Sequence, residues 1–245
     1  HLVSYEEGVV AAVSVVEDAN GVARLRIDNR QQEGSSNSLR VDARQAWLPL
    51  LLHPAPKRAL FLGLGTGVTA SSATTDPTLA VDAVELLPEV IAASTHFIPA
   101  GDNAATASRL RVVAADARRY VRASDLHYDV IVSDNFHPAR SGSGALYTVE
   151  HFEAVRRRLQ RHGVFCQWLP LHQLDLETLR SIVRTFLTVY PRAWAIIASN
   201  SLETPVLGLV GRADENRFNA KALRERLSLL ASPEWVAHLG LEDEY

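Results

Sequence analysis

The sequence predicts an α/β protein, in which a doubly wound, largely parallel sheet follows a small N-terminal β domain. Three observations carry this. Five short apolar segments (58–64, 80–85, 110–114, 128–133 and 164–168) alternate with stretches of helical periodicity. Their side chains form nearly continuous apolar runs, as strands covered on both faces require. A glycine-rich loop, Gly63-Leu64-Gly65-Thr66-Gly67, follows the first segment, at the end of the sheet where such proteins bind ligands.

The elements follow in order. Residues 1 to about 45 read as β structure. Residues 9–16 are rich in β-branched side chains, Asn20-Gly21 is a hairpin turn signal, and Leu25 and Ile27 alternate with polar neighbours. The polar, Gly/Ser-rich stretch 31–38 reads as a loop or strand connection. The character changes at Trp47, which places a boundary between a β domain at 1–48 and a nucleotide-binding domain at 49–245. Residues 68–75 form a short helical segment after the glycine loop. Thr148 caps a helix that runs to Leu159 with Phe152, Val155 and Leu159 on one face and Gly163 just beyond. Asp175 caps another, with Leu179, Ile182, Val183 and Phe186 at helical spacing. Segments 193–198 and 205–210 suit an antiparallel pair at a sheet edge, and 213–230 suits a surface helix.

Composition narrows the function. The 245 residues carry 25 Lys and Arg against 28 Asp and Glu, a net charge of −3, which gives no footprint for nucleic acid or an anionic membrane. The single cysteine, Cys166, lies in an apolar run. It has no partner for an internal disulfide and reads as a core thiol in a reducing, cytoplasmic setting. The histidines show no metal-ligand spacing, so no metal is expected. No apolar run reaches the length of a membrane span and no signal peptide pattern is present. The chain starts at His1 and has no methionine, so it reads as a piece of a longer protein whose membrane domain, if it has one, lies outside these residues. Arg156-Arg157-Arg158 reads as a solvated helix face. Trp47, Trp168 and Trp194 read as packing residues, with Trp168 the nearest to the expected cleft.

Four chemical stations stand at the carboxyl ends of successive strands. Gly63 and Gly65 let the loop turn sharply and approach a ligand, and Val68 breaks the Gly-x-Gly-x-x-Gly pattern of pyrophosphate binders. Glu85 ends the second strand, where a carboxylate can accept hydrogen bonds from both hydroxyls of a ribose. Asp116 follows the third strand and can accept from an adenine amino group or cap a helix. Asp134 closes the fourth strand. A carboxylate there can orient an acceptor amine and take its proton, or cap its own loop. His137 is a second candidate base, or a loop histidine before Pro138. Tyr147 lines the pocket or packs the core.

Taken in order, several segments together resemble the spermidine synthase (aminopropyltransferase) family, in particular the bacterial spermidine synthase-like domains that follow transmembrane segments in larger proteins. They are Tyr5-Glu6-Glu7-Gly8, His53-Pro54-Ala55-Pro56-Lys57-Arg58, the glycine loop, Val84-Glu85-Leu86, Asp116-Ala117-Arg118, Tyr128-Asp129-Val130-Ile131, Gly144-Ala145-Leu146-Tyr147-Thr148, Gly163-Val164-Phe165-Cys166-Gln167-Trp168 and Leu179-Arg180-Ser181. The resemblance implies a class I S-adenosylmethionine-dependent methyltransferase-like (Rossmann-like) fold. It also implies transfer of an aminopropyl group from decarboxylated S-adenosylmethionine to a small-molecule amine, and assembly as a homodimer or homotetramer. By position, Glu85 holds the ribose, Asp116 and Ala117 the adenine, Asp134 takes the proton, and Ser141 lies in the loop that closes over the adenine.

The departures from that family fall mostly on the acceptor side. Where the family's loop carries an aspartate that holds the donor's amine, this chain has Thr66. A second carboxylate after Asp134 is replaced by His137, and a Tyr-His-Glu motif has no counterpart around 41–43. Two other functions therefore stay open: a methyltransferase using intact S-adenosylmethionine, which Thr66 favours, and a non-catalytic nucleoside- or polyamine-binding module.

Overall fold

A computed structural model describes residues 1–29, 31–98, 109–134, 143–214, 216, 218–230 and 239–240. The chain opens with a four-stranded antiparallel meander of β1 (Leu2–Glu7), β2 (Ala12–Glu17), β3 (Ala23–Ile27) and β4 (Gln31–Ser35). The expected turn at Asn20-Gly21 joins β2 to β3. Asp18 organises it by accepting from the backbone N–H of Asn20 and Val22, while Gly21 takes φ +77°, which a side chain would strain.

Helix α1 (Leu39–Leu51) comes next, so the first sheet ends at Ser35 and not near residue 45. Residues 39–45 are helical because Ala43, Ala46, Trp47 and Leu50 fall at i, i+3, i+4 and i+7 and all four are buried. The helix runs through position 48, and residues 36–38 alone separate β4 from it.

The central sheet contains β5 (Arg58–Leu62), β6 (Ala80–Glu85), β7 (Leu110–Ala114), β8 (Tyr128–Ser133), β9 (Leu159–Pro170), β10 (Trp194–Ser199) and β11 (Val206–Arg212) in the order β10-β11-β9-β8-β5-β6-β7. The pairs from β9 through β7 are parallel, and β11 and β10 add an antiparallel edge, as expected for the terminal pair. Helices α2 (Val68–Ala73), α3 (Pro88–Ser94), α4 (Ala117–Ala123), α5 (Val149–Arg157), α6 (Leu176–Val189) and α7 (Ala220–Leu230), with 3-10 turns at Ser143–Tyr147 and Leu171–Gln173, complete the described elements. Thr148 and Asp175 cap α5 and α6 through their side chains as expected. Several boundaries differ from expectation: β5 ends at Leu62, α2 ends at Ala73 and β9 runs Leu159–Pro170, and two helix ends have a visible cause. Helix α5 stops at Arg157, and Leu159 already pairs with Tyr128; the chain then bulges through Gly163 before pairing resumes at Val164. Helix α7 starts at Ala220, because Asp214 ties its neighbourhood into a turn through Arg212, His162 and Asn216.

Alternation along the strands divides the core between the two faces of the sheet. Ala59, Phe61, Val130, Val132, Cys166 and Trp168 face α1 and α2; Leu60, Leu62, Ile131 and Phe165 face Phe152, Ile182 and Phe186 of α5 and α6. Each such fully buried large side chain contributes about 1.5–3 kcal/mol. Cys166 is wholly buried, and burial pushes its thiol up; the core reading holds. So does that of Trp168, whose indole N–H donates to the Gln45 carbonyl at 2.9 Å. A third cluster joins Val13, Val15 and Leu25 of the small sheet to Val68 of α2 and Val90, Ala93 and Phe97 around α3. The small sheet is thereby seated on the helices that follow β5 and β6.

At the opposite end of the sheet, Asp82 is buried and pairs with Arg111 at 2.8 Å and Arg58 at 3.5 Å, while accepting from the Tyr128 hydroxyl. It is a structural anchor, far from the strand ends that carry the stations. Among the described residues, no helix is long and apolar enough to cross a membrane.

Candidate functional site

The site lies at the carboxyl ends of β5, β6, β7 and β8. Three glycines of the loop after β5 adopt left-handed backbone conformations, with φ +95° at Gly63, +53° at Gly65 and +78° at Gly67. Only glycine takes this geometry repeatedly without strain, so the loop is sharply folded. Glu85 holds it in place. Its Oε2 accepts from the Leu64 N–H at 3.0 Å, and its Oε1 accepts from the Leu87 N–H at 3.0 Å. Each oxygen keeps a second lone pair for a ligand hydroxyl, so Glu85 can brace the loop and still receive a ribose.

Asp116 stands at the end of β7, where its Oδ1 accepts from the Arg119 N–H at 2.9 Å and caps α4. The capping function considered from the sequence is therefore present, and Oδ2 adds acceptor capacity for a base amino group. Ala117 begins α4 and packs against the core on that face.

Asp134 is fixed at its backbone. Its N–H donates to the Leu62 carbonyl at 3.0 Å, and its carbonyl accepts from the Gln167 side-chain amide at 3.0 Å. Its carboxylate lies against the glycine loop: a Cβ placed on Gly65 would sit 3.6 Å from Asp134 Oδ2. Tyr147, at the end of the 3-10 turn Ser143–Tyr147, is only 6% exposed and belongs to the core, yet it borders the same place. Burial, and then the charge of Asp134, push its phenol up.

Thr66 is buried. A Cβ on Gly34 would come within 2.6 Å of Thr66 Cγ2, so the small sheet lies directly on the loop. The sequence expectations thus converge at one end of the sheet for Gly63, Gly65, Thr66, Glu85, Asp116, Ala117, Asp134 and Tyr147. His137 and Ser141 lie outside the described residues. Among the described residues, no three His, Cys, Asp or Glu side chains are grouped to hold a metal.

Two residues were not singled out by sequence reasoning. Gln167 is fully buried within β9, and a polar side chain inside an apolar strand is a signal that a partner exists. Asp42, in the first turn of α1, feels the charge of Asp134. Burial pushes its carboxyl up to about 7, Asp134 adds to the rise, and a hydrogen bond to Ser38 opposes it. In the sequence it is the one acid of the stretch 39–51, and it falls within 41–43, where the resemblance calls for a Tyr-His-Glu motif that this chain lacks.

The spermine/spermidine synthase domain matches residues 45–201. A polyamine aminopropyltransferase of Thermotoga maritima is 30% identical over 165 residues, covering 60% of this chain and 54% of the relative. One of Desulforudis audaxviator is 27% identical over 154 residues, with 61% and 56% covered. The chain thus spans little more than half the length of these two relatives. A solved spermidine synthase in complex with the transition-state analogue AdoDATO superposes with TM-score 0.79 over 98% of this chain and 88% of that one, at 19% identity. Human methyltransferase-like protein 13 in complex with SAH superposes with TM-score 0.58 over 86% and 94%, at 21% identity. At these identities the likeness speaks to the fold: a class I methyltransferase-like sheet with a small β sheet in front. The match over 45–201 goes further, and the chain belongs to the spermine/spermidine synthase family.

Proposed function

We propose that this protein transfers an aminopropyl group from decarboxylated S-adenosylmethionine to a small-molecule amine. The observation that carries the reading is the Asp134 carboxylate at the end of β8, lying against the glycine loop that Glu85 braces. The acceptor nitrogen attacks the aminopropyl carbon bonded to the sulfonium. A C–N bond forms, the C–S bond breaks, and its electron pair neutralises the sulfur, releasing methylthioadenosine. The new ammonium loses a proton to Asp134. Glu85 accepts from the ribose hydroxyls and Asp116, with Ala117 beside it, meets the adenine; Tyr147 closes the acceptor side. His137 and Ser141 remain assigned by sequence position to the acceptor and adenine sides.

Displacement at carbon from a sulfonium needs a base and an aligned nucleophile, and we assign no metal to it. The exposed apolar side chains of β1 and the following turn (Leu2, Val3, Tyr5, Val9 and Val10) favour assembly into a homodimer or homotetramer. We place the activity in the cytoplasm, where a lone thiol such as Cys166 stays reduced.

The test is a product assay. Purified protein, given decarboxylated S-adenosylmethionine and a panel of di- and polyamines, is expected to release methylthioadenosine, and Asp134→Asn is expected to abolish release. Absence of product across the panel overturns the proposal. Preference for intact S-adenosylmethionine in calorimetry would point to methyl transfer.

A further inference from the structure

We propose that Gly34 is a positioning residue for the reaction: because it carries no side chain, β4 can lie on the glycine loop, where the Thr66 methyl locks it. The inference rests on the aminopropyl-transfer reading and adds to it a residue that touches no substrate. The small sheet is seated at three places. Its apolar face packs on Val68, Val90, Ala93 and Phe97, and Gly8 lies against the Glu89 carboxylate of α3. The third seat is on the loop itself, where Gly34 meets Thr66. Of the three, this one bears directly on the strand ends.

The Thr66 side chain is committed to that contact. Its Cγ2 faces Gly34, while its Oγ1 lies 3.5 Å from the Val68 N–H at the start of α2. Buried and β-branched, it has few rotamers to escape into. A Cβ on Gly34 would stand 2.6 Å from Cγ2, whereas Cβ and Oγ1 of Thr66 would each be 3.8 Å away, an ordinary contact distance. One methyl group therefore decides whether position 34 can hold a side chain. Backbone strain has no part in it, since Gly34 is not among the glycines of positive φ.

A side chain at 34 would part β4 from the loop by ~1 Å, and β4 is the partner that gives way. The loop is braced by both oxygens of Glu85. Strand β4 lies at the edge of its sheet and pairs with β3 alone, through a ladder whose register shifts between Leu25 and Arg26. The Glu33 carbonyl moves with it. That carbonyl and Asp134 Oδ2 border one point over Gly65, where a Cβ would lie 3.8 Å from the first and 3.6 Å from the second. A nucleophile that Asp134 aligns over the loop therefore has the β4 backbone beside it, and a ~1 Å shift there costs up to about hundredfold in rate.

Steady-state kinetics and calorimetry on the whole chain compare the parent with Gly34→Ala, Thr66→Ser and the double variant. Gly34→Ala should lower kcat by about tenfold to hundredfold, while methylthioadenosine binds within about twofold of the parent. Thr66→Ser removes only Cγ2, so adding Gly34→Ala to it should change kcat by less than about twofold. Undiminished kcat in Gly34→Ala, or an equal loss on both backgrounds, overturns the proposal. So does methylthioadenosine binding that falls as far as kcat, the mark of general loosening. If Gly34→Ala does not fold, the double variant decides: turnover like that of Thr66→Ser supports the lock, and lower turnover overturns it. Amide hydrogen exchange separates the two proposals. A parent that releases no product overturns the transfer reading. The lock then stands if exchange in 31–35 is faster in Gly34→Ala than in the parent, and in the double variant returns to the rate of Thr66→Ser; otherwise it falls too.

Discussion

The side-chain amide of Gln167 donates to the main-chain carbonyl of Asp134 at 3.0 Å and to that of Trp168, also at 3.0 Å. Both neighbours are acceptors, so the amide nitrogen must face them, and the orientation of the group is fixed. Because Gln167 pairs with Ser133 across β9 and β8, the bond locks the residue just beyond the paired register. It aims Asp134 from behind.

Gln167→Met keeps the length of the side chain but removes its donor. The Asp134 carbonyl then loses that tie, while the bond from its N–H to Leu62 remains. A proton acceptor misplaced by a fraction of an ångström costs about tenfold to hundredfold in turnover. The expected outcome is such a fall in kcat, with methylthioadenosine binding unchanged by calorimetry. Unchanged kcat in a folded variant would remove Gln167 from any positioning role.

Glu85→Gln tests the brace. One of the two backbone N–H groups of Leu64 and Leu87 would then face an amide NH2, and the glycine loop would lose a charge-assisted bond worth about 1.5–3 kcal/mol. Methylthioadenosine affinity should fall about tenfold to hundredfold, since loop and ribose contact weaken together. Equal affinity in the variant would show that Glu85 serves neither.

His151 makes stability depend on acid. It is fully buried on α5, neither ring nitrogen has a hydrogen-bond partner among the described residues, and burial, aided by Arg118 and Arg122, lowers its pKa to about 4. The unfolded chain takes up a proton near pH 6.5 that the folded one refuses, so stability is full above that value and declines as pH falls toward about 4. His53 acts in the same direction, its pKa also being lowered to about 4 by burial. His151→Phe should remove about 2 kcal/mol of the stability lost between about pH 7.5 and about pH 5, leaving the part due to His53. Urea melts at the two pH values measure it; parallel pH dependence in parent and variant would contradict the account.

What the sequence disclosed follows from how local each signal is. Strands β6, β7 and β8 have the predicted bounds because their apolar runs end abruptly at Glu85, Ala114 and Ser133. The caps Thr148 and Asp175 were legible for the same reason, since a cap needs only the next three residues. Helix α1 went unread because residues 1 to about 45 read together as β structure around the polar stretch 31–38, although its buried stripe is regular. The stations Glu85 and Asp134 were legible from their places at strand ends. Asp42 was not: what sets its carboxyl apart is its burial and the charge of Asp134, far along the chain, and neither is local to its own segment.

That seating has an evolutionary consequence. The segment that carries Glu33 and Gly34 meets the glycine loop from in front of the family-matched stretch, which begins at residue 45. It is held by bonds among Ser35, Ser38 and Asp42, whereas the glycine loop is held by Glu85. Substitutions in the one need not disturb the other. A lineage can therefore vary what the small sheet presents to the loop while inheriting an intact set of strand ends, and divergence in this fold has a ready place to begin.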